Sequence, residues 1–183
     1  MPFSQFGLNP LFSKALAHLD YVEPTQIQLA AIPAVLEGKD VLGIAKTGSG
    51  KTAAFVLPIL QQLEGTLVSP HREPTVLVLV PTRELADQVT QVFREFMPSL
   101  TSQVSCLAVY GGVSINTQMQ ALRRVDVLVA TPGRLLDLLD KNAVRLSFIR
   151  TLVLDEADKL LNLGFQEELD QILRLLSAQR QNL

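Results

Sequence analysis

The chain has 183 residues, enough for one domain with a sizeable core, and 48% of them are hydrophobic, which excludes a disordered polymer. A formal net charge of −2 excludes capture of nucleic acid by bulk charge, so such a partner needs a local patch or backbone donors. One cysteine, Cys106, excludes an internal disulfide, and no apolar run reaches the length of a membrane span.

The N-terminus "MPFSQFGLNP" has neither a basic start nor a long apolar stretch, so a soluble cytoplasmic protein, monomeric by default, is the expectation. Asn9 and Pro10 suit the cap and first position of a helix through Leu19. Thr25 can cap a second helix through Leu36, ended by Gly38. "DVLGIA" (Asp40–Ala45) is a short, non-alternating apolar run, the pattern of a strand covered on both faces. "GKTAAFVLPILQQL" continues as a helix despite Pro58. Residues 64–74, "EGTLVSPHREP", read as a surface loop.

"TVLVLV" (Thr75–Val80) is a second strand, and "TRELADQVTQVFREF" follows with apolar residues at helical spacing. "VSCLAVY" (Val104–Tyr110), "VDVLVA" (Val125–Ala130) and "TLVLD" (Thr151–Asp155) are further strands. Helices are predicted over Ser114–Arg123, Pro132–Asp140 and Phe165–Leu176. Alternating strands and helices predict an α/β fold: a mostly parallel sheet with helices on both faces. His18 and His71 lack metal-ligand spacing, and Cys106 reads as strand core.

The stretch "AKTGSGKT" lies between a predicted strand and a predicted helix, the layout of a phosphate-binding loop. Glycines Gly48 and Gly50 let successive N–H groups of Ala45, Lys46, Thr47 and Ser49 turn inward around phosphate oxygens. The helix that starts near Gly50 adds its positive end. Lys51 can reach the β- and γ-phosphates, and the Thr52 hydroxyl can bind Mg²⁺. Ala45 stands where the strict pattern has its first glycine.

Such a site needs a second strand ending in an acid, and "RTLVLDEAD" supplies one. Asp155 emerges at a strand's carboxyl end, where it can hold Mg²⁺ directly or through water. Glu156 can orient and deprotonate an attacking water, while Asp158 is better placed to bridge elements. The competing reading of these acids is helix-dipole decoration.

"AKTGSGKT" followed by "DEAD" at Asp155–Asp158 resembles the DEAD-box RNA helicases of superfamily 2. "YVEPTQIQ" (Tyr21–Gln28) is similar to their Q motif, "PTRELA" (Pro81–Ala86) to motif Ia, "GG" (Gly111–Gly112) to the GG motif and "TPGR" (Thr131–Arg134) to motif Ib. "LLNLGF" (Leu160–Phe165) follows DEAD as in the family. The resemblance implies that residues 1–183 are the N-terminal RecA-like ATP-binding domain, with the Q motif at 1–28. It places Phe3 at the adenine-stacking aromatic, Gln28 at the adenine edge, and Tyr21 and Thr25 beside them. It makes Pro81, Thr82, Arg83, Gly111, Gly112, Thr131, Pro132, Gly133 and Arg134 candidates for contact with the phosphates of single-stranded RNA. In isolation Gln28 would read as a helix-surface residue, Phe3 as packing, and Thr82 and Thr131 as caps.

Asp20 stands where the family commonly has Gly, Gln26 where it has Pro, and Lys46 where it has Gln. The chain ends at "SAQRQNL", where the family continues into its "SAT" motif and a second RecA-like domain with arginine fingers. The expectation is therefore a fragment that binds ATP and Mg²⁺ but hydrolyses little, from a parent RNA-dependent ATPase that unwinds short duplexes. The rivals are a superfamily 2 DNA-dependent ATPase and a non-catalytic nucleotide switch or RNP scaffold.

Overall fold

The structure is a computed structural model that describes residues 3–65 and 73–183. Most of the predicted loop over 64–74, and His71 with it, lies outside the described residues. The described residues form two compact units: 3–65 with 91–104 and Leu183, and 73–90 with 105–182.

The first unit is helical. A 3-10 turn (Phe3–Phe6) precedes α1 (Leu11–His18), α2 (Gln26–Leu36) and α3 (Lys51–Leu63). Pro10, expected as the first helical residue, is the N-cap of α1, and the side chain of Asn9 before it accepts from the Leu11 N–H at 3.0 Å. α1 ends in a Schellman-type turn in which the Tyr21 N–H reaches back to the Leu16 carbonyl at 2.8 Å and Asp20 takes φ +57°. Asp20 thus adopts the left-handed conformation that a glycine would adopt without strain. Aromatic rings hold the unit together edge to face: Phe3 with Tyr21, Tyr21 with Phe96, and Phe96 with Phe12. In α3 every residue from Ala53 to Leu60 is buried, Pro58 included. Packing on all sides outweighs the hydrogen bond that Pro58 cannot donate.

The second unit carries a five-stranded, fully parallel sheet in the order β2-β3-β1-β4-β5. Its strands are β1 (Val76–Leu79), β2 (Cys106–Val109), β3 (Val127–Ala130), β4 (Thr151–Leu154) and β5 (Gln181–Asn182). α4 (Arg83–Phe96) belongs to the second unit through Thr90 and to the first from Gln91, and the second unit's other helices are α5 (Ile115–Ala121), α6 (Pro132–Asp140), α7 (Ala157–Asn162) and α8 (Gln166–Leu175). Leu77, Leu79, Leu128, Ala130 and Leu152 pack with Leu135, Leu138, Leu160 and Ile172 in one core cluster. The alternating Val76, Val78, Val127, Val129 and Val153 are equally buried, so both faces are covered and the strands need not alternate.

One strand expectation fails. Asp40–Ala45 forms no ladder, and Leu42 and Ile44 are each 87% exposed. The run has the composition of a doubly covered strand, but among the described residues no strand pairs with it. The fifth strand is instead β5, which the sequence did not announce. It pairs with Thr151 and Leu152 of β4.

Candidate functional site

In the first unit the loop from Ala45 to Gly50 runs straight into α3 at Lys51. A tight turn closes it, with Ser49 N–H donating to the Lys46 carbonyl at 3.2 Å. Gly48 and Gly50 have φ of +78° and +89°. At Gly50 glycine is also required by space: a Cβ would lie 2.5 Å from Gln28 Nε2 and 3.2 Å from Thr25 Oγ1. The Lys51 ammonium donates to the Ala45 and Lys46 carbonyls, and so lies over the loop rather than pointing into solvent. Ser49 Oγ is buried with no hydrogen-bond partner among the described residues.

Gln28 and Thr25 brace this turn. Thr25 N–H donates to Gln28 Oε1 at 2.9 Å in a capping box, and Gln28 Nε2 donates to the Gly50 carbonyl at 3.1 Å. Gln28 is 1% exposed. The surface-helix alternative is thereby excluded; one N–H and one lone pair of the amide remain for a base. Phe3 is 6% exposed and meets Phe6 and Tyr21 edge to face, so the structure gives it the packing role rather than an open stacking face. Tyr21 is partly buried between Phe3 and Phe96, and loss of solvent, with the nearby Glu95 carboxylate, raises its phenol pKa.

In the second unit Asp155 follows β4 directly, and its N–H donates to the Leu79 carbonyl at 3.0 Å. It is 9% exposed. Glu156 caps α7 at φ +53°, ψ +48°, a left-handed conformation unusual for a glutamate. Lys159 Nζ lies 2.8 Å from Glu156 Oε2, and this carboxylate holds the ammonium above its ordinary pKa. Asp158 is exposed in the first turn of α7.

Ladder bonds continue one residue past β1, β3 and β4, so the strands end in step. Parallel register therefore brings Pro81–Arg83, Gly111–Gly112, Thr131–Arg134 and Asp155 to one edge, a row about 14 Å long at ~4.8 Å per strand. Thr82 Oγ1 accepts from Leu85 N–H at 3.3 Å and so caps α4, while Thr131 occupies the N-cap position of α6 without a side-chain cap bond. Arg83 is exposed over the Tyr110 ring, 4.9 Å from its centroid. Arg134 departs from expectation. Its side chain is 10% exposed and is turned inward, donating to the carbonyl of Val113 at 3.0 Å and to Gln118 Oε1 at 2.9 Å. The Asp137 carboxylate, 3.5 Å from Arg134 Nε, counters its charge, and Gln118 on α5 provides a buried acceptor for its N–H. No sequence pattern singled out Gln118: a lone glutamine on a helix carries no signature of burial.

In the first unit an ammonium at the loop, a hydroxyl at Thr52 and a buried hydroxyl at Ser49 are the kinds of group that pair with phosphate oxygens, and in the second unit Asp155 presents a carboxylate at a strand end. Residues 25–183 match the family model for the DEAD/DEAH box helicase. The chain belongs to the DEAD/DEAH box helicase family. It is 47% identical over 180 residues to the ATP-dependent RNA helicase DeaD of Buchnera aphidicola subsp. Schizaphis graminum, covering 98% of this chain and 29% of that protein. It is 46% identical over 172 residues to the protein of the same name from Escherichia coli strain K12, covering 93% and 27%. The crystal structure of a DEAD box protein from the hyperthermophile Methanococcus jannaschii superposes with a TM-score of 0.90 at 32% identity, covering all of this chain and 49% of that one. The chain thus spans less than a third of these two curated relatives, and the α/β, RecA-like fold of the family is the one it adopts.

Proposed function

We propose that this chain is the ATP-binding and RNA-backbone-binding domain of an ATP-dependent RNA helicase. The observation that carries the reading is the start of α3: Lys51 and Thr52 stand directly behind a left-handed Gly50, where a Cβ would displace the Gln28 side chain. The loop amides and the positive helix end bind phosphate oxygens, and Lys51 leaves the Ala45 and Lys46 carbonyls to neutralise the β- and γ-phosphates. Magnesium, when bound, would neutralise charge on the phosphates, and the hard oxygens suited to hold it are the Thr52 hydroxyl in the first unit and the Asp155 carboxylate in the second, each considered by itself. Glu156 orients the attacking water and takes its proton. Asp158 bridges elements, and Gln28 reads the adenine edge with its remaining donor and acceptor.

RNA phosphates meet Arg83, the Thr82 and Thr131 hydroxyls, and the N–H groups at Gly111, Gly112 and Gly133, with Pro81 and Pro132 shaping the turns. Backbone contacts carry no sequence information, and few cations take part, so affinity is modest and the salt slope shallow. Unwinding belongs to this domain together with a second RecA-like domain whose arginine finger supplies a factor of ~10³–10⁵ in rate. By itself the chain binds nucleotide and turns it over slowly.

ATP hydrolysis by the full-length protein, measured with single-stranded RNA or DNA added, tests this. The expected result is stimulation by RNA. Stimulation by DNA alone would make it a DNA-dependent ATPase, and ATP binding without hydrolysis would make it a nucleotide switch.

A further inference from the structure

The turns after β1, β2 and β3 are joined inside the second unit by one run of side-chain contacts. It starts at Arg83, whose guanidinium sits 4.9 Å above the Tyr110 ring. The Tyr110 hydroxyl donates to Asp87 at 3.3 Å, and Asp87 lies 4.0 Å from Arg83 Nε. The Tyr110 carbonyl accepts from Gln118 Nε2 at 3.1 Å. Gln118 Oε1 accepts from Arg134 Nη1, which also donates to the Val113 carbonyl. Gln118, 6% exposed, is therefore bonded on both ends of its amide.

The segment held between these bonds is Tyr110–Val113. Gly111 and Gly112 are exposed, Gly112 has φ +80°, and their N–H groups donate to no acceptor among the described residues. Two consecutive N–H groups without a protein acceptor form an anion-binding concavity only if their peptide planes stay fixed. Glycines do not fix their own planes, because the unrestrained chain explores many conformations. Gln118 limits that freedom: its bond to the Tyr110 carbonyl fixes the peptide plane that carries the Gly111 N–H, and through Arg134 it anchors the Val113 carbonyl just beyond the pair.

We infer that Gln118 is a positioning residue for RNA binding: it sets the Gly111–Gly112 amides and, through the Tyr110 ring, the Arg83 guanidinium toward one phosphate backbone. The inference rests on the proposed RNA-binding role of this edge. Gln118 touches no RNA, so its loss weakens binding without removing a charge contact.

The test is RNA affinity of the full-length protein for a fluorescein-labelled oligouridylate across a salt series, with nucleotide affinity and Tm measured alongside. Gln118→Met, similar in volume and bonded to neither partner, is expected to weaken RNA binding ~10-fold, from two lost hydrogen bonds. Gln118→Glu keeps the acceptor for Arg134 but loses the donor to Tyr110, and should fall between, with its fold intact. In both variants the salt slope and the nucleotide affinity stay at wild-type values. Arg83→Ala, in contrast, should lower the salt slope by about one. If Arg83→Ala lowers the slope while both Gln118 variants bind RNA normally, or lose RNA and nucleotide affinity in parallel, the inference is wrong. If Arg83→Ala changes neither affinity nor slope, the RNA-binding reading itself is wrong.

Discussion

Gln28 Nε2 donates to the carbonyl of Gly50, binding the start of α2 to the turn that begins α3 across 22 residues. The same amide caps α2 through the Thr25 N–H. The geometry of the Ala45–Gly50 loop and the capping of α2 thus rest on one buried side chain. Gly50→Ala is expected to cost at least ~1–2 kcal/mol from its left-handed φ alone, and also to push Gln28 off its carbonyl. Gly48→Ala shares the positive φ but meets open space, so it should destabilise less and leave Gln28 in place. Thermal unfolding of the pair, with nucleotide affinity, checks this; equal losses would show that Gln28 does not sense position 50.

Asp20 predicts an improvement. It occupies the left-handed position of the turn after α1, where an L side chain is strained and glycine is not. Asp20→Gly should stabilise the chain by about 0.5–1 kcal/mol, raising Tm by ~2–4 °C per kcal/mol in a domain of this size. A lower Tm would mean that the carboxylate makes a compensating contact.

Tyr21 predicts an alkaline weakness. Burial raises its pKa above 10.0, so the folded state favours the neutral phenol. That contribution is complete below pH 10, the unfolded value, and is lost as pH rises toward the higher folded pKa. Tyr21→Phe cannot ionise, so its Tm should fall less than that of the wild type between pH 9 and 11. Parallel curves would place the phenol in water.

Much of this was legible because local chemistry decides it. β1, β3 and β4 are short apolar runs between turns, and α6 occupies Pro132–Asp140 as its proline and period require. Strand pairing is not local. The apolar Asp40–Ala45 resembles β1 in composition yet forms no ladder, while polar Gln181–Asn182 pairs because Arg150 and Thr151 present their backbone groups to it. The roles of Arg134 and Gln118 were hidden for a related reason: whether a guanidinium faces a phosphate or a carbonyl depends on what α5 places beside it.

Glu156 separates stability from activity. Glu156→Gly relieves its left-handed backbone, which offsets the loss of a side chain that is 13% exposed and paired with the half-exposed Lys159. The variant should unfold at the wild-type temperature or above it while losing ATP turnover. A clear drop in Tm would show that the Lys159 pair is structural.

The most direct measurement is single-turnover ATP hydrolysis by the full-length protein with saturating RNA, wild type against Glu156→Gln, with ATP affinity determined in the same preparation. The account predicts unchanged ATP affinity and hydrolysis reduced to background. Hydrolysis at the wild-type rate would contradict it, because the group assigned to activate water would then be idle.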